Sequence, residues 1–164
     1  MGLDMYLEVR KFVETHDWVN ENGEFVRKET PGAEAIKVAG LENLTSKEAV
    51  GITVQTTAVY WRKVNAIHNW FVNVCANGVD ECQQIPVKRE NLQALRDQVE
   101  LVVRKKNPAV AQEFLPTSSG FFFGSTEYDE WYWSDMQFTL DELNRVLSET
   151  VDDYGIDFFY QASW

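Results

Sequence analysis

Apolar and polar positions alternate at the start of the chain. Leu3, Met5 and Leu7 stand against Asp4, Tyr6 and Glu8, which predicts a strand over residues 2–13 with one buried face. A turn at Asn20-Glu21-Asn22-Gly23 sets residues 16–18 and 24–27 to pair as a hairpin, and Pro31-Gly32 marks another turn. Residues 33–39 and 51–59 are rich in strand formers, with a polar loop or short helix between them in which Thr45-Ser46-Lys47-Glu48 matches a capping box.

From there the period becomes helical. Residues 60–77 carry Tyr60, Val64, Ile67, Phe71 and Val74 as a core stripe and stop at Asn77-Gly78. Residues 88–106 repeat Leu92, Leu95, Val99 and Val102, and Pro108 closes that helix. Its last turn holds Arg104-Lys105-Lys106, which complements the helix dipole without invoking a ligand. A third helix, residues 130–149, turns Tyr132, Met136, Leu140, Leu143 and Leu147 inward, with Thr139 and Glu142 predicting a break near Phe138. In residues 157–164, Phe158, Tyr160 and Ala162 alternate with Phe159, Gln161 and Ser163 as a terminal strand. Strands, then helices, then a returning strand predict an α+β fold: a mainly antiparallel sheet with about three helices packed on one face, in a single globular domain over residues 1–164.

Composition narrows the function classes. No apolar run approaches the roughly 18 residues that span a bilayer, and the start lacks a basic and then apolar leader, so a cytoplasmic protein is expected. Cys75 and Cys82 fit that compartment as free thiols. The net charge of −11 is unevenly placed. Residues 1–112 hold 15 acidic against 14 basic side chains, a net of −1; residues 113–164 hold 11 against 1, a net of −10. Without a dense basic footprint, direct nucleic-acid binding is not expected, whereas a basic protein partner is compatible with the charge.

Two segments carry candidate chemistry. The first is Gly120–Trp133, where seven aromatic rings, three carboxylates and two glycines fall together with no Lys or Arg. Rings offer large contact area at low entropy cost, so such a segment either fills a core or holds a ligand. Its glycines match no phosphate loop and are expected to permit tight turns around a short buried strand. From this segment Ser125, Tyr128 and Asp129 are pocket candidates, joined by Asp135 just beyond it; Asp135, beside an inward stripe, needs a partner, for which Arg62 is the obvious cation.

The second segment is residues 60–71. If helical, it places Trp61, Asn65, His68 and Val72 on one stripe, with Arg62 and Lys63 at a first turn whose N–H groups favour anions. Asn65 and His68 are then either ligand-binding groups or a buried polar pair with internal partners. The soft ligands His16, His68, Cys75 and Cys82 lack metal-site spacing, so neither a metal nor a cofactor is expected, although Asp129 and Asp135 suit a hard cation such as Mg²⁺. Cys75 lies about 10 Å along a helix from His68, too far for a catalytic pair.

These blocks resemble a family of uncharacterised proteins common in tailed bacteriophages and prophages. The resemblance rests on Met1-Gly-Leu-Asp-Met-Tyr-Leu7, on Tyr60-Trp-Arg-Lys-x-Asn-Ala-Ile-His-x-Trp-Phe-Val72, and on Gly78-x-Asp80-x-Cys82 and Leu115-Pro116. It continues through Gly120-Phe-Phe-Phe-Gly-Ser125, Tyr128-Asp-Glu-x-Tyr132-x-x-Asp135 and Phe158-x-Tyr160-x-x-Ser163-Trp164. Lys88 departs from the Ser that similar chains place before the second helix. The resemblance implies a phage origin and action in the bacterial host cytoplasm, and brings no activity with it. The leading expectation is a non-enzymatic phage accessory protein that binds a small nucleotide-like ligand, to counter a host defence signal. In that reading Arg62 and Lys63 neutralise phosphate, Asn65, His68 and Asp135 hydrogen-bond base or sugar, and Trp61 and Tyr128 stack. One alternative is an acidic inhibitor of a basic host nuclease or nucleic-acid-binding enzyme; another is an enzyme acting on a phosphorylated small molecule through His68.

Overall fold

The structure, a computed structural model, describes residues 2–46, 48–120, 122–153 and 155–164. In chain order the elements are β1 (Asp4–Glu14), β2 (His16–Glu21), β3 (Glu24–Glu29), α1 (Pro31–Val38), a 3-10 turn (Glu42–Leu44), β4 (Gly51–Arg62) and α2 (Asn65–Cys75). They continue with β5 (Ile85–Val87), α3 (Arg89–Lys105), α4 (Pro108–Phe114), α5 (Glu130–Glu149) and β6 (Ile156–Ser163). The fold is α+β with mainly antiparallel sheets. The chain forms two compact units, residues 1–9 with 56–164, and residues 10–55.

In the larger unit the strand order is β4-β1-β6-β5, and Ile85 and Val87 of β5 lie antiparallel to Tyr160 and Phe158 of β6. The two-residue period sends Leu3, Met5 and Leu7, Val59 and Trp61, and Phe158, Tyr160 and Ala162 into the core. The helices supply the other half of the same apolar cluster: Ile67 and Phe71 from α2, Leu92, Leu95, Val99 and Val102 from α3, and Tyr132, Met136, Leu143 and Leu147 from α5. Phe71 stacks on Tyr160 at 4.1 Å between ring centroids, fixing α2 to β6.

In the smaller unit the hairpin β2–β3 closes through Asn22-Gly23, since Glu21 pairs with Glu24. Both turn residues have positive φ, 55° and 92°, as a two-residue hairpin turn of this hand requires. Gly32 follows from packing: a Cβ there would lie 2.4 Å from the Glu14 carbonyl oxygen.

Several sequence expectations change. Tyr60, Trp61 and Arg62 end strand β4 instead of opening a helix, because the chain bends at Lys63, whose φ is 61°. Val59 and Trp61 are accordingly buried while Tyr60 is exposed, a strand alternation. Val74, expected in the core, is also exposed. Residues 33–39, expected as a strand, lie almost wholly in helix α1. Thr30 caps it by accepting from the Gly32 N–H, and Pro31 sits in its first turn, so the turn signal was a helix start. Pro108 acts twice, closing α3 and opening α4 behind the Asn107 cap. Helix α5 runs unbroken past Phe138, and the Thr139 hydroxyl, instead of capping a new start, donates back to the Asp135 carbonyl inside the helix. Lys88 gives α3 no side-chain cap. Ser46 and Glu48 bond each other and no helix follows them; Lys47 of that expected capping box lies outside the described residues. Among the described residues, no helix is long and apolar enough to cross a membrane.

Trp61 Nε1 donates to Thr139 Oγ1 at 3.0 Å in the core. Thr139→Val removes the acceptor and strands a buried indole N–H, so urea unfolding should show a loss of about 1–3 kcal/mol with an unchanged m-value.

Candidate functional site

Between strand β4 and helix α2 the chain turns at Lys63, and Asn65 begins the helix. The Asn65 carboxamide reaches into the segment that precedes α5. Its Nδ2 donates to the carbonyls of Phe123 (3.0 Å) and Ser125 (2.9 Å), and its Oδ1 accepts from the Ser118 N–H (3.0 Å). Gly124, at φ 90°, lies directly against Lys63; a Cβ would approach the Lys63 Cβ to 3.2 Å. Within the same segment a Cβ at Gly120 would meet the Phe123 ring at 2.5 Å. Residues 122–123 form a turn and bend in place of the expected short strand, and Phe121 lies outside the described residues.

This arrangement bounds a cavity of about 300 Å³ whose polar lining includes Arg62, Lys63, Asn65, Ser125, Asp129 and Asp135. Thr117, Glu127 and Trp131 line it as well. Of the nine residues singled out from sequence, those six meet here, and Trp61, His68 and Tyr128 do not.

Much of this polar lining is already committed. Asn65 spends both amide hydrogens and its oxygen on the backbone. Asp129 caps α5, its Oδ1 accepting from the N–H groups of Trp131 and Tyr132. The Tyr132 hydroxyl donates to the Leu115 carbonyl, and the Thr117 hydroxyl donates to Thr126. The unspent groups separate by chemistry. Among the described residues, the carboxylates of Asp135 and Glu127 make no hydrogen bond or ion pair, and the Lys63 ammonium makes none. Among the described residues Arg62 pairs with Asp4, at 3.8 Å, and not with the Asp135 expected from sequence. The first turn of α2 adds backbone N–H groups without a side-chain cap. The β4–α2 junction thus offers cations and donors, and the α5 side offers acceptors.

Asp135 is half-buried. Desolvation, and then the charge of Asp129, push its carboxyl up to about 6.

His68 belongs to a different construction. It is buried, with Nε2 3.0 Å from Asp80 Oδ2 and Nδ1 2.8 Å from the Tyr160 hydroxyl, and Phe123 packs edge-on at 5.1 Å. Asp80 accepts from the Nε2–H tautomer, and Tyr160 then donates to Nδ1. Burial, then the Asp80 charge, push the Tyr160 phenol well above its ordinary range, which keeps that donor protonated. The chain Tyr160–His68–Asp80 ties β6, α2 and the loop after α2 together. It leaves no ring nitrogen for a ligand, so His68 fits the internal-pair alternative.

Trp61 is buried and cannot stack on a ligand. Tyr128 packs edge-on against Tyr132 at 4.9 Å, and its hydroxyl accepts from the Thr117 N–H at 3.4 Å. Both cysteines are free, and burial pushes the Cys75 thiol up to about 11, which makes it a packing residue. Among the described residues, no three His, Cys, Asp or Glu side chains converge as a metal site requires. Asp129 and Asp135 do share the cavity, but Asp129 has given one oxygen to the helix cap.

Two aromatic residues line this cavity, the buried Tyr132 and Trp131, which is 79% exposed on the first turn of α5. Periodicity sets Trp131 off the Tyr132–Met136 core stripe, a signal it shares with Trp133, which nevertheless packs against the core. Glu127 and Thr117 carried no such signal, because their placement follows from the loop that Asn65 holds.

Comparison with known proteins finds no matching family model, no matching curated protein and no matching solved structure. The functional reading therefore rests on the cavity.

Two outcomes follow from this geometry. Asn65→Ala leaves two carbonyls and one N–H without their partner. It should cost about 1–3 kcal/mol and open residues 116–127 to limited proteolysis before the rest of the chain. Asp135→Asn tests the raised carboxyl. Between its ordinary value near 4 and about 6, the folded protein holds a proton that the unfolded chain has lost, so stability falls as pH rises through that window. The variant should be more stable than the parent at pH 7.5, by roughly 1 kcal/mol after discounting for partial exposure, and equal to it below pH 4 on denaturant midpoints.

Proposed function

We propose that this protein binds a small polar ligand of nucleotide type in the Arg62–Asp135 cavity, without catalysing a reaction. The observation that carries the reading is the division of unspent polar groups. Arg62, Lys63 and the uncapped first turn of α2 suit a phosphate, while Asp135 and Glu127 suit N–H donors at the other end of the same molecule. Trp131 replaces Trp61 and Tyr128 as the stacking surface, and Asn65 acts by holding the cavity wall. The volume lies at the small end of ordinary ligand sites and suits one compact molecule. In the phage setting that the sequence resemblance implies, retention of a nucleotide signal is a coherent role for a non-enzymatic binder.

One observation favours a second reading. A half-buried carboxyl titrating near 6 is suited to general acid–base work, so an enzyme acting on a phosphorylated small molecule would use Asp135 in place of His68. The acidic-inhibitor reading draws on the exposed Trp131 and Phe138 among the carboxylates of α5.

Purified protein is incubated with an extract of phage-infected cells, re-isolated and heated, and the released molecules are analysed by mass spectrometry. The expected result is an intact nucleotide from the parent and little or none from an Arg62→Ala/Lys63→Ala double variant, whose side chains carry no core packing. Equal recovery from both proteins, or none from either, overturns the reading. A chemically altered compound assigns the cavity to an enzyme.

A further inference from the structure

We infer that Asp135 reads the base of the bound nucleotide and selects guanine, an inference that rests on the nucleotide reading above. The argument is one of hydrogen-bond accounting. On the α5 side of the cavity, Tyr132 donates to Leu115, and Asp129 Oδ1 is held by two N–H groups. Asn65 is saturated, and the Thr117 hydroxyl is spent on Thr126. Asp129 Oδ2 at the cap and the Glu127 carboxylate in the preceding loop stay open, but within the helix itself the group left for a ligand is the Asp135 carboxylate, two adjacent oxygens with no partner among the described residues. At pH 7.5 this group is ionised and accepts only.

A pair of acceptors on one rigid helix matches a pair of adjacent donors. The guanine pairing edge presents such a pair, N1–H beside the N2 amino group. Adenine presents one amino donor beside the acceptor N1, which would face a carboxylate oxygen with lone pair against lone pair. Hypoxanthine keeps N1–H and lacks the second donor. Trp131 lies on the same helix, four residues before Asp135, hence about one turn away on a neighbouring strip. Its exposed indole offers the flat surface that a planar base uses and an aliphatic amine does not, which is why a base is favoured over a simple amino compound. Glu127 adds negative charge at the same wall and favours the electron-poor donor edge. The phosphate end stays with Arg62 and Lys63.

Isothermal titration at pH 7.5 with GMP, IMP, AMP and XMP tests this directly. The parent should bind GMP about tenfold or more tighter than IMP, and AMP more weakly still, the scale of one lost charge-assisted hydrogen bond. Asp135→Asn turns one acceptor into a donor. It should lose the GMP preference and gain affinity for XMP, whose N1–H and O2 match an amide. Arg62→Ala should weaken all four ligands by a similar factor. Nucleotide binding with no preference for GMP, or an Asp135→Asn variant that keeps the parent's order of affinities, overturns base reading and leaves the binding site standing. Failure of all four to bind overturns both.

Discussion

The candidate site depends on one carboxamide. Asn65 is the first residue of α2, and its three hydrogen bonds hold both limbs of the segment that precedes α5. A single neutral hydrogen bond contributes only about 1 kcal/mol net, yet a stranded buried carbonyl or N–H costs more. Three such groups satisfied by one side chain therefore behave as a unit. With the segment held, Gly124 closes on Lys63, Ser125 and Thr117 reach the cavity, and Phe123 comes to rest against His68. The same residue that limits the cavity thus links it to the core beneath.

Polar side chains in this protein divide into those with internal partners and those without. Tyr160, His68 and Asp80 satisfy one another across two elements and a loop, and Trp61 finds Thr139. Groups of this kind stabilise by avoiding the desolvation penalty, and the His68 ring and the Trp61 indole have nothing left for a ligand. Asp135 differs. Its partial burial is uncompensated, which is why its carboxyl is pushed upward, and the cations that would relieve it lie elsewhere on the cavity lining. Unspent capacity, more than aromatic density, marks the candidate site.

Much of the architecture was legible from spacing. Leu92, Leu95, Val99 and Val102 read as the buried stripe of α3 and are its buried residues, and the alternation at the chain's end read correctly as a strand, β6, whose inward positions are Phe158, Tyr160 and Ala162. The helix-forming signals that failed were local and ambiguous. Pro31 and Pro108 punctuate equally well as turns or as first-turn residues, and only the caps by Thr30 and Asn107 decide. Tyr60 to Arg62 continued an apolar pattern that suits either period. The left-handed Lys63, a conformation few side chains adopt, placed the boundary after them.

By itself the sequence determined the α+β class and most of the buried faces. These follow from periodicity and composition, which are properties of neighbouring residues. Tertiary structure decided which polar residues are free. Asn65 finds its partners in backbone groups 53 to 60 residues away, and His68 finds Tyr160 at a separation of 92. A backbone carbonyl leaves no mark in the pattern of side chains, so no spacing rule distinguishes a saturated histidine from an available one. Asp135 remained available because Asn65, Asp129 and Thr117 on the same lining are committed to backbone groups and Arg62 lies against Asp4.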